Sequence, residues 1–352
     1  LEGRPLNAEE VRFIVSEHLA QEKKKADEAK KKDYLVGSDT KMTASWNNGL
    51  TLESANKDFK AHVGGRTQMD GTWIDGNAAY KNAGPLGNGN GAFATQDAVD
   101  FRRARLRVDG TMYENFEFAA EYDFVNSVNG NNGTLGGGGS NGANYNSIVG
   151  VPAPTDLWVG ITRLPYVGNA RIGNVKEPIG LEHLSSSRYL DFMERSFNQD
   201  AYYGQFNNGF TPGVLMYDWN RNENMTWQWG FFKTTQNVFA SEAYDGGYAA
   251  TNRVSFLPYY DEPTNGRYLV HMGMSSSFRD GSTISGGPQS TGQFRVRTRP
   301  SLRNGISQNW PSVGDTSVFF ADHQTMLNFE LAVQNGPLKV QAEYMASYFD
   351  NT

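Results

Sequence analysis

The chain has 352 residues, no cysteine, 39 glycines, 13% aromatic residues and a formal charge of −6. This composition excludes disulfide scaffolding and thiolate metal sites, is consistent with an oxidising bacterial envelope, and argues against nucleic acid as a partner. No apolar run approaches the roughly 18 residues of a membrane-spanning helix, but strands stay open, because a membrane-crossing strand needs only about 9 to 11 alternating residues.

Leu1 opens without an initiator Met or a basic, apolar leader, so a secretory signal is expected to have been removed. Residues 6–33, LNAEEVRFIVSEHLAQEKKKADEAKKKD, place Val11, Ile14, Val15, His18 and Leu19 at helical spacing. The expected organisation is a periplasmic amphipathic helix or stalk over 1–38, with a solvated lysine face, followed by a β-domain over 39–352. From Lys41 the chain alternates, with expected strands at 59–74, 99–112, 115–126, 155–163, 169–175, 210–219, 224–234, 266–278, 292–299, 325–334 and 337–349. A small hairpin is expected around Asn47-Asn48-Gly49, and a loop is expected between 234 and 266.

The most informative segment is FRRARLRVDG at 101–110, where Arg103, Arg105 and Arg107 alternate with Ala104, Leu106 and Val108. Period two makes a strand with one cationic and one apolar face. Facing lipid, each arginine near the midplane would cost roughly 2 to 4 kcal/mol; facing a water-filled lumen, it would cost little. The next strand repeats the division, with Phe116, Phe118, Tyr122 and Phe124 on one face and Glu117, Glu121 and Asp123 on the other. Arg102 falls on the apolar parity, so it either snorkels to the membrane interface or is turned inward by a bulge. Connections alternate long (75–97, 127–153, 177–208) and short (at Glu114 and Pro165), the pattern of an outer-membrane barrel with extracellular loops and periplasmic turns. The glycine runs at 87–91 and 136–139 lack a following Lys-Ser/Thr and read as loop rather than phosphate cradle.

The motifs DFKAHVGGRTQMDG (58–71), DFRRARLRVDGTMYENFEFAAEYDF (100–124), GNVKEPIGLEHLSSSRYLDFMERS (173–196) and PLKVQAEYMAS (337–347) resemble the phosphate-selective porin O/P family. The resemblance implies an all-β, transmembrane antiparallel barrel of about sixteen strands. It also implies a homotrimer in the bacterial outer membrane, with 177–208 folded inward to narrow the pore. By the same resemblance the paired arginines of a central phosphate site are Arg102 and Arg103. Arg66 begins a ladder on the wall, Ser186 and Ser187 are the loop serines, and Arg188 and Arg195 are loop cations. The aspartate corresponds to Asp156, and QFRVRTRPSLRN supplies a mid-barrel ladder of Arg295, Arg297 and Arg299, with Arg303 as the wall arginine at the site. His183 stands where the family has a loop lysine, and it is mostly neutral at pH 7 with an unperturbed pKa of about 6.5. The family continues for several strands beyond Thr352, and an open sheet edge is not viable in lipid, so an incomplete barrel is expected.

Arginines two residues apart on a strand lie about 6.6 Å from one another, inside a Debye length of about 8 Å, so their fields merge. Salt bridges from Arg103, Arg105 and Arg107 to Glu117, Glu121 and Asp123 are the structural alternative to anion binding. Arg188 and Arg195 equally suit pinning the loop to the wall, with Glu177 and Glu182 neutralising them. QFRVRTR contains no acidic residue, which favours a conducting ladder there. Trp158, Trp227 and Trp229 are expected to face lipid. Histidines at 18, 62, 183, 271 and 323 show no HExxH-like spacing and no G-x-S-x-G elbow occurs, so neither an enzyme nor a cofactor is expected. The expected function is an anion-preferring diffusion porin conducting phosphate, with lipid and inorganic anions as partners and peptidoglycan as a contact of the N-terminal helix. The alternatives are a general non-selective porin and a soluble β-rich, carbohydrate-binding surface protein.

Overall fold

The computed structural model describes residues 35–75, 97–125, 153–202, 210–233, 247–281, 292–298, 313–317 and 319–350. The expected N-terminal helix, the glycine-rich loops, Arg299 and Arg303 lie outside them.

Alternating polar and apolar positions over long stretches build one antiparallel sheet of 13 strands. Its first strands are β1 (Met42–Trp46), β2 (Leu50–Ser54), β3 (Phe59–Thr72), β4 (Ala98–Met112), β5 (Phe116–Asp123) and β6 (Ala153–Leu164). Then come β7 (Gly168–Lys176), β8 (Phe210–Trp219), β9 (Met225–Lys233), β10 (Tyr248–Tyr260) and β11 (Tyr268–Asp280). Four two-residue strands follow: β12 (Gln293–Phe294), β13 (Arg297–Thr298), β14 (Gly314–Asp315) and β15 (Phe319–Phe320). The large sheet resumes with β16 (His323–Asn335), paired to β11, and β17 (Leu338–Asp350). Apart from the step from β11 to β16, neighbours in sequence are neighbours in space, so the sheet is a meander. Among the described residues no helix is long and apolar enough to cross a membrane, which says nothing about crossing by strands.

Burial is inverted relative to a water-soluble sandwich. Arg103, Asp123, Thr155, Glu177, Arg253, Arg279, Asn328 and Glu330 are buried, whereas Phe101, Leu106, Phe116, Val159, Ile172, Phe231, Met274, Phe278, Phe329 and Tyr344 are exposed. Along β5 the inward Ala119, Glu121 and Asp123 alternate with the outward Phe116, Phe118 and Tyr122, as the sequence predicts. An apolar belt outside and a polar interior are the solution for a sheet solvated by hydrocarbon on one face and water on the other. Consecutive strands carrying aromatics on the same outer face do not suit the soluble alternative.

Among the described residues the number of long strands, eleven, agrees with the expectation, but their identities do not all agree. The predicted strand at 292–299 is not part of the wall: it is broken into β12 and β13, which pair locally with β15 and β14 in two separate two-stranded sheets. Phe294 anchors this segment through ring contacts with Phe319 and Phe349. The wall strand in its stead is β10, where a loop was expected. Its outward face, Tyr248, Ala250, Asn252, Val254 and Phe256, is diluted by alanine and asparagine, and Pro258 falls at the register shift between Phe256 and Tyr259. Trp158 is also corrected: it is 8% exposed and turned inward, on the same face as Asp156, to which its indole N–H donates at 3.2 Å.

After β7 the chain turns into the concave side of the sheet. Gly180 takes φ +73°, a conformation that favours glycine, and leads into α1 (Leu181–Leu184); α2 (Phe197–Tyr202) follows. The Leu181 and Glu182 N–H groups donate to the Glu343 carboxylate of β17 at 3.2 and 2.7 Å, and the Gly180 N–H donates to Ser275 Oγ of β11 at 3.3 Å. On the other side Arg66 of β3 donates to Ser187 Oγ at 2.7 Å, and Arg188 donates to the Gly65 carbonyl at 3.1 Å. One segment thus spans from β17 to β3, so the sheet is wrapped around it. Ile179 and Met326, both buried, fix the loop against β16.

Candidate functional site

The loop divides the space on the concave side of the sheet. Between it and strands β3 to β7 lies a cavity of about 430 Å3. Apart from His62, eight cationic side chains line it (Arg66, Arg102, Arg103, Arg105, Arg107, Lys176, Arg188 and Arg195) against four carboxylates (Asp109, Glu121, Asp156 and Glu194). Ser186 and Ser187 also border it.

A bulge assembles the upper end. Gln68 of β3 pairs with Arg103 and Met69 pairs with Phe101, leaving Arg102 as the extra residue. The bulge turns Arg102 inward, where it is 6% exposed beside Arg103 at 3%. Both guanidiniums bind one carboxylate from the loop: Arg102 Nε donates to Glu194 Oε1, and Arg103 Nη2 donates to Glu194 Oε2 at 3.2 Å. Arg103 also donates to Gln68 Oε1 at 2.7 Å.

Lower on β4 the arginines are matched by carboxylates of the next strands. Arg105 donates to Asp123 at 2.8 Å and to Glu121 at 3.0 Å. Arg107 donates to Asp109 at 2.8 Å and to Asp156 at 2.7 Å. The cross-strand pairing of Arg66 with Arg105 sets like charges opposite each other, an arrangement these carboxylates offset. Glu117 instead holds Arg171 at 3.3 Å, and that guanidinium lies 4.1 Å over Trp158 and 4.5 Å over Tyr217. A second cavity of about 300 Å3 lies toward the short-turn end of the sheet, where Lys60, Arg107 and Arg171 are matched by Asp109, Glu117 and Asp156.

Within the loop, Arg195 donates to the carbonyls of Glu182 and Ser185 at 2.9 and 2.6 Å, so it braces the loop itself, whereas Arg188 reaches the wall. Burial pulls the Arg195 pKa down to about 10, with Glu194 and Glu182 opposing the shift, so it keeps its charge at neutral pH. Glu182 accepts from the Ser196 N–H and hydroxyl, and Glu177 binds Arg279 of β11 at 2.7 Å. Neither acid lines the arginine cavity.

His183 differs from its expected place. It is 1% exposed within α1 and does not line the cavity. Burial, then the nearby Lys176, Arg195 and Arg279, hold its pKa well below the usual histidine value, so it is neutral. The cation that reaches the cavity there is Lys176, the last residue of β7, whose ammonium donates to the His183 carbonyl at 2.5 Å. Lys176 precedes 177–208, the segment that the resemblance assigns to the constriction, so no sequence signal marks it. Arg171 and Glu194 were overlooked too; the parity that places Asn169 and Gly173 inward also places Arg171 there. Arg295 and Arg297 are displaced from the expected ladder: Arg295 donates to both oxygens of Asp315, at 2.8 Å through Nε, and Arg297 pairs with Asp315 in the β13–β14 ladder. That bond raises the Arg295 pKa and lowers that of Asp315.

Across the loop, against β10, β11, β16 and β17, lies a larger compartment of about 970 Å3. Apart from His271, its lining bears Glu182, Asp191, Glu194 and Glu343 against Arg195 and Lys339, among apolar side chains such as Leu190, Phe192, Met193 and Leu257. Behind it Arg253 binds Glu330 through both nitrogens, at 2.7 and 3.0 Å.

An antiparallel wall with an apolar outer face, a charged inner face and a loop folded across the inside defines a porin-type protein. Residues 75–351 match the family described as Phosphate-selective porin O and P, and the chain belongs to it. That family is one of channels, not enzymes. The chain is also similar to a protein named Porin O from Pseudomonas aeruginosa, 22% identical over 320 residues covering 85% of this chain. It spans 61% of the length of that relative.

Proposed function

We propose that this chain forms the wall and constriction of an outer-membrane diffusion channel with anion preference, conducting phosphate along the arginine side of its lumen. The observation that carries the reading is the cavity bordered by eight cationic side chains and four carboxylates beneath Ser186 and Ser187. A guanidinium offers planar, paired donors to an oxyanion and cannot be deprotonated at working pH, and successive moderate sites let an anion move on. Ser187 and Lys176 add donors, and Asp156 suits accepting the O–H of a protonated phosphate. The homotrimer, the extracellular placement of the long loops, and a periplasmic helix at 1–38 contacting peptidoglycan belong to the same proposal.

The test is the reversal potential of the full-length protein in a planar bilayer across a KCl gradient, followed by phosphate titration. An anion-selective potential with chloride current blocked by phosphate is the expected result. Weak or cation-leaning selectivity without block favours the second reading, a general porin. The ion pairs of Arg105 and Arg107 support that second reading, since each meets two carboxylates.

A further inference from the structure

The bulge in β4 brings two adjacent guanidiniums to one point, and that point is occupied by a carboxylate of the protein itself. Glu194 is 7% exposed and meets both Arg102 and Arg103. A carboxylate and a phosphate oxyanion present the same paired-acceptor geometry to guanidinium, so Glu194 fills the place that a solute anion would take. Glu194 borders the larger compartment as well as the arginine cavity, so its side chain stands in the partition between the two and has about 970 Å3 of open space behind it.

We propose that Glu194 is a tethered counter-ion of the Arg102–Arg103 pair, one that yields to a phosphate-class oxyanion by swinging toward the larger compartment. The inference rests on the anion-channel reading above. Two buried guanidiniums without a counter-ion are costly, so the loop carboxylate stabilises the unoccupied site. Being attached to the loop, it competes at a fixed effective concentration, weakening solute binding and hastening release. Conduction requires such a balance, with a site favourable enough to enter and weak enough to leave.

The experiment compares full-length wild type with Glu194→Gln in planar bilayers, reading the inorganic phosphate concentration that halves the chloride current. Folding of both is checked by heat-modifiable migration in detergent. The expected result is a half-blocking concentration about tenfold lower in Glu194→Gln, with longer individual block events, because affinity changes within one site appear mainly in the dissociation rate. An unchanged or higher concentration, with wild type still blocked by phosphate, overturns the tethered counter-ion and leaves the channel reading standing. Absence of block in both proteins overturns both. Block gained only in the variant supports the counter-ion role and sinks phosphate preference for the native protein. Should Glu194→Gln fail to assemble, Glu194→Asp, which keeps the charge but shortens the reach, carries the same comparison: a lower half-blocking concentration supports the proposal, and an unchanged or higher one overturns it.

Discussion

The two compartments beside the loop are built from the same strand type but hold opposite charge. On the β3–β7 side cations outnumber carboxylates by eight to four; on the β10–β17 side the lining carries four carboxylates and two cations, His271 apart. The difference comes from where the acids go. On the arginine side Asp123, bound to Arg105, is withdrawn from the lining, whereas Glu121, also bound to Arg105, still borders the cavity. On the far side Arg253 is consumed by Glu330, and Glu343 is turned to the amides of α1. The sign of each compartment therefore follows from which charged side chains line it, not from the charge of the whole chain. The formal charge of the whole chain, −6, has the opposite sign to its arginine cavity.

The largest break in this asymmetry is expected from replacing Arg102 and Arg103 together by alanine. Hydrogen bonds to charged groups contribute about 1.5 to 3 kcal/mol each, so losing the pair should raise the half-blocking phosphate concentration by at least about a hundredfold. The reversal potential should move toward zero, and unchanged anion selectivity would place the selective element elsewhere. Glu343→Gln is next. It weakens a charged acceptor at the start of α1, worth about 1 to 2 kcal/mol of loop docking, and should increase open-channel current noise while leaving the sign of selectivity intact.

An effect of comparable size is expected from pH. His183 is held neutral in the docked loop, whereas an unfolded histidine takes up a proton near pH 6.5, so in the window below about 6.5 the undocked state binds more protons. Docking stability therefore rises with pH there and falls on acidification, by up to about 1.4 kcal/mol per pH unit while the docked histidine stays neutral. Proteolytic cleavage within 181–202 should increase from pH 7 to pH 5, and His183→Gln should flatten that dependence. The smallest change is expected for Arg295→Ala. Its ion pair with Asp315 is about one-third exposed and off the wall, so the loss should be under about 1 kcal/mol and the reversal potential should not move.

Much of the wall was legible because a strand between lipid and water must alternate. Arg103, Arg105, Arg107, Glu121 and Asp123 face inward as their parity required. The loop crossing the lumen was expected only through family resemblance, and the bulge at Arg102 stood as one of two readings of a parity conflict. The arginine run QFRVRT misled for a specific reason. Period two marks a strand but does not name its partner, and the missing acid proved to be Asp315, twenty residues from Arg295.

By itself, the sequence determined the antiparallel β class, the inward parity of the β4 arginines and the alternation of long and short connections, since these depend on local periodicity and chain length. Tertiary structure alone decided that Lys176 rather than His183 reaches the cavity, that β10 and not 292–299 is a strand of the wall, and that Glu194 sits on the paired arginines. Each of those outcomes depends on which distant segment arrives opposite a given side chain. Long-range pairing is selected by the collective burial and charge balance of the whole sheet, and no local window of residues contains that information.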